Sequence, residues 1–395
     1  MKTIVTLLMF FSIFVLSADE IFVNSATGSD SNSGTLPAPL RTFSTALAKA
    51  KPGDTIRMMP VDQPVHGSFM VKDKNGIPDK PIIVDGGFNT YIGTSPINEK
   101  QWEMVEPGLY KRVRSNVAKS MLGRYFMCFN GQINRMGRPG KWRGAELKKL
   151  EELNDYEWTV VNNTDFYFRI PANKTPSDCK VEEPVLISGV QLSGESSHLV
   201  FRNMIVKNFW NDGYNIHGNC RDILFENVVA LYNGDDGISA HGTCRITVRN
   251  FIAIGNSTGI CHVNDSEGIH ENIYIAKTAA RDLFMVNRKN TFRNVAIEGN
   301  SPGGIEFTYS SKQKGILGES RLEQCFFYSM SPGGKLAFSS KSKVTAHDVI
   351  SYNYQHGRLP DNWQIADNPE MMGKHIAKLK EQLFAIFKNK LKSYE

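Results

Sequence analysis

The residues best suited to chemistry lie in two consecutive, similar stretches, NDGYNIHGNC at 211–220 and GDDGISAHGTC at 234–244. Each carries acid before a glycine and a histidine a few residues on. Asp212 comes from the first stretch, Asp235 and Asp236 from the second. Three carboxylates brought together have three uses. Crowding raises the proton affinity of one while a partner stays ionised, which makes an acid and a base for glycosidic cleavage; their separation then sets inversion or retention. A hard cation such as Ca²⁺ takes the same oxygens and acts as a Lewis acid. The third use is turn-making, since Asp-Gly and Asn-Gly suit positive φ. A turn alone gives no reason for three like charges to be held together against their repulsion.

Whether these acids meet depends on the elements that carry them. The middle of the chain repeats. Asn203, Asn227, Asn250, Asn272 and Asn294 each precede an apolar run, at steps of 24, 23, 22 and 22 residues. Each unit has two short alternating runs separated by Asn, Gly, Asp or Ser, with no helical period between them. That is the pattern of a parallel β-helix, whose coils stack at strand spacing so that equivalent residues form columns. Aligning the units on Gly213, Gly237, Gly259 and Gly304, with Leu283 in the coil between, puts Asp212 beside Asp236 and brings Asp235 to them. Asn215 and Ser239 then share a position, and His217 and His241 lie two further on. If Tyr214 and Ile238 point inward, these residues point outward and form a polar wall. Asn215, Ser239 and His241 are therefore candidate substrate contacts. Five residues separate the histidines from the acids, roughly 15 Å of strand, too far for one reacting centre. Cys220 over Cys244 reads as a column of stacked core thiols, and Asn233, Asn256 and Asn300 as a turn ladder.

The start of the chain after the expected signal adds a family resemblance. GSDSNSGT, PLRTFSTALAKA and PGDTI, within residues 28–56, resemble the N-terminal segment of secreted right-handed parallel β-helix proteins of the pectin-lyase-like superfamily. The resemblance implies an all-β, right-handed parallel β-helix whose open end is plugged by a short amphipathic helix, TFSTALAKA. It also implies two ways to use the acids. In the manner of polygalacturonases, Asp212, Asp235 and Asp236 would be catalytic carboxylates, with His262 on the following coil and Arg288 and Lys289 on the next holding substrate. In the manner of pectate lyases, the same three acids would bind Ca²⁺ next to a uronate; here Ser239 stands at a further Asp position and Cys261 at the base position. The cofactor expectation is accordingly none, or Ca²⁺ if the chemistry is lyase-like.

Outside the repeat, residues 1–18 read as a secretory signal: Lys2, an apolar run from Ile4 to Leu16, then Ser17 and Ala18. The remaining chain is expected to be a β-helix over 19–366, with a non-repeating insertion at 100–185, and an amphipathic helix over 367–395. YEWTVVNNTDFYFRI within the insertion reads as a β-hairpin. Asn368 and Pro369 would start the last helix, with Met372, Ile376, Leu379, Leu383, Ile386 and Leu391 near one face. The formal net charge of +6 is local: nine Lys or Arg and no acid lie from Lys111 to Arg143, and six Lys against two Glu in 374–395. A basic stretch of that kind suits a polyanion or a plain solvated loop. The six cysteines match no zinc spacing, and Cys128 with Cys179 is a possible bridge. The reading is a secreted, periplasmic or cell-surface protein that binds and cleaves a polysaccharide, expected to be acidic, with no nucleic-acid partner and no transmembrane segment. The rival is a non-catalytic glycan-binding or structural β-helix.

Overall fold

The computed structural model describes residues 19–394 apart from 116, 138–146, 310–315 and 331, and apart from the side chains of Lys119 and Asn389. The expected signal segment and the end of the basic stretch lie outside the described residues.

Alternating apolar residues with a turn every ten or so positions wind the chain into stacked coils. Nineteen strands form one continuous ladder, its named pairings all parallel. Two registers define the stack. On one face Tyr214–Ile216 pairs with Asp236–Ala240, which pairs with the start of Thr258–Ala276, and then with Arg281–Gly299. On the next, Arg221–Leu231, Arg245–Ile254 and the later halves of those two long strands pair in turn. Inward residues such as Phe201, Phe225, Tyr214, Ile238, Val248 and Leu283 fill the coil and are fully buried. Each such side chain buried instead of exposed contributes about 1.5–3 kcal/mol.

The repeated asparagines make the corner between two faces. Asn203, Asn227, Asn250, Asn272 and Asn294 all have φ between 52° and 57°. This left-handed corner suits asparagine, whose short side chain bonds locally. Each amide Nδ2 donates to the Oδ1 of the coil below, at 2.7–3.0 Å. The lowest, Asn203, donates to Asp85. A second amide pair sits where it was expected: Asn233 Nδ2 donates to Asn256 Oδ1 at 2.9 Å. Asn300 is not its next rung. The register puts Thr278 over Asn256 and Asn300 a coil beyond.

The first coils are covered at their end, and one flank of the stack is covered along its length. The helix Phe43–Lys49, capped by Thr42, buries Phe43 and Ala46 against the first coils. The helix Glu370–Ile386 begins where Asn368 Oδ1 accepts the Glu370 N–H. It lays Met372, Ile376, Leu379, Leu383 and Phe384 on an apolar outer strip made by Ile205, Val229, Ile252, Tyr274 and Phe326. No helix among the described residues is long and apolar enough to cross a membrane.

Between the early coils and the main repeat the chain leaves the stack and forms two four-stranded antiparallel sheets. The expected hairpin is Glu157–Val161 paired with Asp165–Arg169, turning at Asn162 and Asn163 with φ of 54° and 61°. A core of Trp102, Tyr125, Trp158, Phe166 and Phe168 joins Trp210 of the stack. Cys128 and Cys179 are both free, so the possible bridge is absent. Cys128 opposes Glu182, while Cys179 accepts the Asn130 N–H, so the two side chains are out of register. Cys220 and Cys244 are buried free thiols that donate to the carbonyls of His217 and Gly218.

Candidate functional site

The stack does bring the three acids together. Oxygen atoms of Asp212, Asp235 and Asp236, one from each, all lie within 4.8 Å of one another. The reason is local: Tyr214 pairs with Ile238, which puts Asp212 and Asp236 on one column, and Asp235 enters from the turn before. Asp212 is held twice. Its Oδ1 accepts the Asp236 N–H at 3.1 Å and its Oδ2 accepts the Ser239 hydroxyl at 2.7 Å. Ser239 is thus a support for the cluster, in addition to being a wall residue.

The insertion closes over this point. Arg124 Nε lies 2.8 Å from Asp235 Oδ2. Arg135 donates to the carbonyls of Asn233, Gly234 and Gly255, at 3.3 Å for Gly234 and 2.9 Å for Gly255. Burial pushes the Arg135 guanidinium down to about 10, and Asp235 acts against that shift. Close approach needs Gly234: a β-carbon there would lie 2.0 Å from the Trp210 carbonyl oxygen and 2.5 Å from that of Arg124. The result is a covered cluster. Asp212, Asp235 and Asp236 are only 2%, 1% and 1% exposed, whereas the Arg124 side chain keeps 24% of its surface.

Three hard oxygen donors this close are of the kind Ca²⁺ takes, with Asp212, Asp235 and Asp236 as the ligands. Calcium needs roughly six to eight oxygens. Here both Asp212 oxygens already accept protein hydrogen bonds, and a guanidinium stands on Asp235. The chain supplies its own counter-charge.

The same face continues away from the acids. Asn215 and Ser239 form the next row and are buried beneath the wall. His217 and His241 follow and stack flat, ring centres 4.0 Å apart and 8° from parallel. Burial, then the nearby charge of Arg124, lowers the proton affinity of His217. In the other direction the column of Asp212 and Asp236 runs on to Thr258 and Arg281. Arg281 bonds Glu306 at 3.0 and 3.1 Å and lies 4.4 Å above the Phe284 ring.

Other expected site residues lie elsewhere. His262 points into the coil, fully buried, with Nε2 3.2 Å from His270 Nε2. Burial and the neighbouring His270 hold its proton affinity well below the ordinary imidazole value. It is a core residue, because Ala240 and Met285, its strand partners, also face inward. Arg288 and Lys289 are exposed seven and eight residues past Arg281, beyond the Asn287 corner, with Arg288 3.8 Å from Glu267. They face another side of the stack.

Asp282, beside Arg281, turns inside. It accepts hydrogen bonds from Thr278 and from Tyr354, the latter at 3.1 Å. Burial raises its pKa to about 6, against the hydrogen bonds that lower it. The unfolded chain loses this proton near pH 4, the folded chain near pH 6. Folded protein therefore binds more protons between those values, and stability falls as pH rises through that window, by about 3 kcal/mol in all at 1.36 kcal/mol per unit. Asp282→Asn is expected to flatten the urea midpoint between pH 4 and pH 6.5; an unchanged slope would assign the effect to another group.

Comparison with known proteins agrees with the architecture. A family model described as a right-handed beta helix region matches residues 188–350. A search of curated proteins finds no match. Among solved structures, one described as a glycoside hydrolase superposes with a TM-score of 0.53 at 11% identity, covering 92% of this chain and 98% of that one. A pectate lyase, Pel9A, superposes with a TM-score of 0.45 at 13% identity, covering 89% and 73%. Likeness at such identities is likeness of fold. With the register, the family match and the superposition in agreement, the chain is a right-handed parallel β-helix protein.

Proposed function

We propose that this protein is a secreted carbohydrate-active enzyme that hydrolyses a polysaccharide along the face carrying Asp212, Asp235 and Asp236. The observation that carries this reading is the convergence of three carboxylates from two coils within 4.8 Å, under one partly exposed arginine. Crowded carboxylates favour a proton held among them, ready for a glycosidic oxygen, while a paired member stays anionic. Asp235, on Arg124, and Asp212, whose two oxygens accept hydrogen bonds, suit the anionic role, which leaves Asp236 as the proton donor. Arg124 is also the group an acidic substrate would meet first. Asn215, Ser239, His217 and His241 would line the chain's path, and Arg281 over Phe284 would extend it. Hydrolysis is favoured over calcium-assisted elimination because Arg124 already pairs with Asp235 and Cys261 is buried.

The burial of the acids favours one rival, a glycan-binding protein in which the cluster only ties the insertion to the stack. The test is incubation with polygalacturonate, alginate and neutral glucans and xylans. Reducing ends should appear without absorbance from unsaturated uronate, and a chelator should change nothing. Unsaturated product lost on chelation would make it a calcium lyase. Binding with no product of either kind would establish the rival.

A further inference from the structure

A second groove lies on another side of the stack from the acids, beside the C-terminal helix, with a cavity volume of about 550 Å³. One wall continues the asparagine corner. Asn294, Gln324 and Asp348 occupy equivalent positions on three successive coils, with φ of 54°, 55° and 53°. They stand about 4.8 Å apart, the strand spacing. Below Asn294 this position is filled by asparagines bonded amide to amide; among the described residues that chain stops at Asn294. Glutamine is a methylene too long for the stack and aspartate brings no N–H. Gln324 and Asp348 line the groove instead.

The opposite wall is one stripe of the helix. His375, Lys378 and Gln382 recur at helical spacing, beside the apolar stripe that glues the helix down. The floor is Phe326, Ile350 and Leu379. His375 lies flat on Phe326, ring centres 4.5 Å apart and 8° from parallel. Gln364 also lines the groove.

We infer that this groove is a binding site for a neutral saccharide, separate from the acid cluster. Primary amides present donor and acceptor side by side, the match for neighbouring hydroxyls that both give and accept. The flat imidazole on an apolar floor offers a platform for the C–H face of a sugar ring. One carboxylate and one ammonium cancel, so the groove has no net preference for an anion. None of this depends on catalysis by the acids.

The test uses the full chain and NMR of the His375 ring during titration with cellohexaose, xylohexaose, maltohexaose and trigalacturonate. At least one neutral hexaose should shift the His375 resonances, more tightly than trigalacturonate does. Asp348→Ala combined with Gln382→Ala, both exposed positions, should weaken that binding about tenfold, the loss of one to two hydrogen bonds. Asp236→Asn should leave it unchanged. The inference is overturned if no neutral hexaose shifts His375, if trigalacturonate binds as tightly, or if the double variant binds like the native chain. It is also overturned if Asp236→Asn abolishes the binding. Cleavage assays that fail would leave this site standing.

Discussion

Asp236→Asn is expected to lower the rate of polysaccharide cleavage by about 10³-fold, the usual worth of a positioned acid or base. The substitution keeps size and shape. The Asp236 N–H still donates to Asp212, so the coil register should hold. Asp212→Asn should cost as much activity, and some stability as well, because its two oxygens accept the Asp236 N–H and the Ser239 hydroxyl. The measurement is kcat on whichever glycan gives product, with a urea midpoint taken alongside. Activity of Asp236→Asn within twofold of native would remove the cluster from the chemistry. Arg124→Gln separates two roles: a substrate-facing arginine shows mainly in KM, whereas one that only sets the charge of Asp235 shows in kcat.

The second large effect should come from Glu183, which is only 3% exposed. It pairs with Arg112 and, at 3.1 Å, with Arg114, and it accepts the Tyr125 hydroxyl at 3.2 Å. Arg114 in turn lies 4.9 Å from the centre of the Trp210 ring, so this charge set fastens the insertion to the stack. Removing one partner of a buried ion pair costs about 3–5 kcal/mol, because the other charge is left uncompensated. The two arginine side chains keep 19% and 20% of their surface, so Glu183→Ala should fall at the low end, about 3 kcal/mol. The urea midpoint should drop accordingly. Cleavage should fall too, since Arg124 is carried by the same segment. A midpoint shift below that of an ordinary surface substitution would show that the insertion is held by its aromatic core alone.

The solenoid was legible in the chain because its information is local. Each coil contacts only its neighbours, so a recurring Asn, a glycine column and alternating apolar residues state the register outright. Asp212 beside Asp236, the Asn233–Asn256 pair and the stacked Cys220 and Cys244 all followed from counting one period. The two helices that cover the coil were legible for a related reason, a change of period with a cap at the start.

Errors arose where counting crosses a corner or leaves the stack. The family order places His262 at the site, yet strand alternation turns it inward against His270. Arg288 and Lys289 share that origin. They lie past Asn287 on another side; the register also puts Asp282, not Leu283, in the glycine column, so that Arg281 just before it continues the column of Asp212, Asp236 and Thr258. Arg124 and Arg135 had no readable register at all. They belong to a non-repeating segment whose place on the stack is set by Trp210, Glu183 and the aromatic core, contacts between residues far apart in sequence.

By itself, then, the sequence determined the coil, the period and the meeting of three carboxylates, because nearest-neighbour stacking converts spacing directly into contact. Only the tertiary structure decided that those carboxylates are covered, that Arg124 stands on Asp235, and which charged residues share their face. Those outcomes depend on the direction of corners and on the docking of an insertion, which no local pattern encodes.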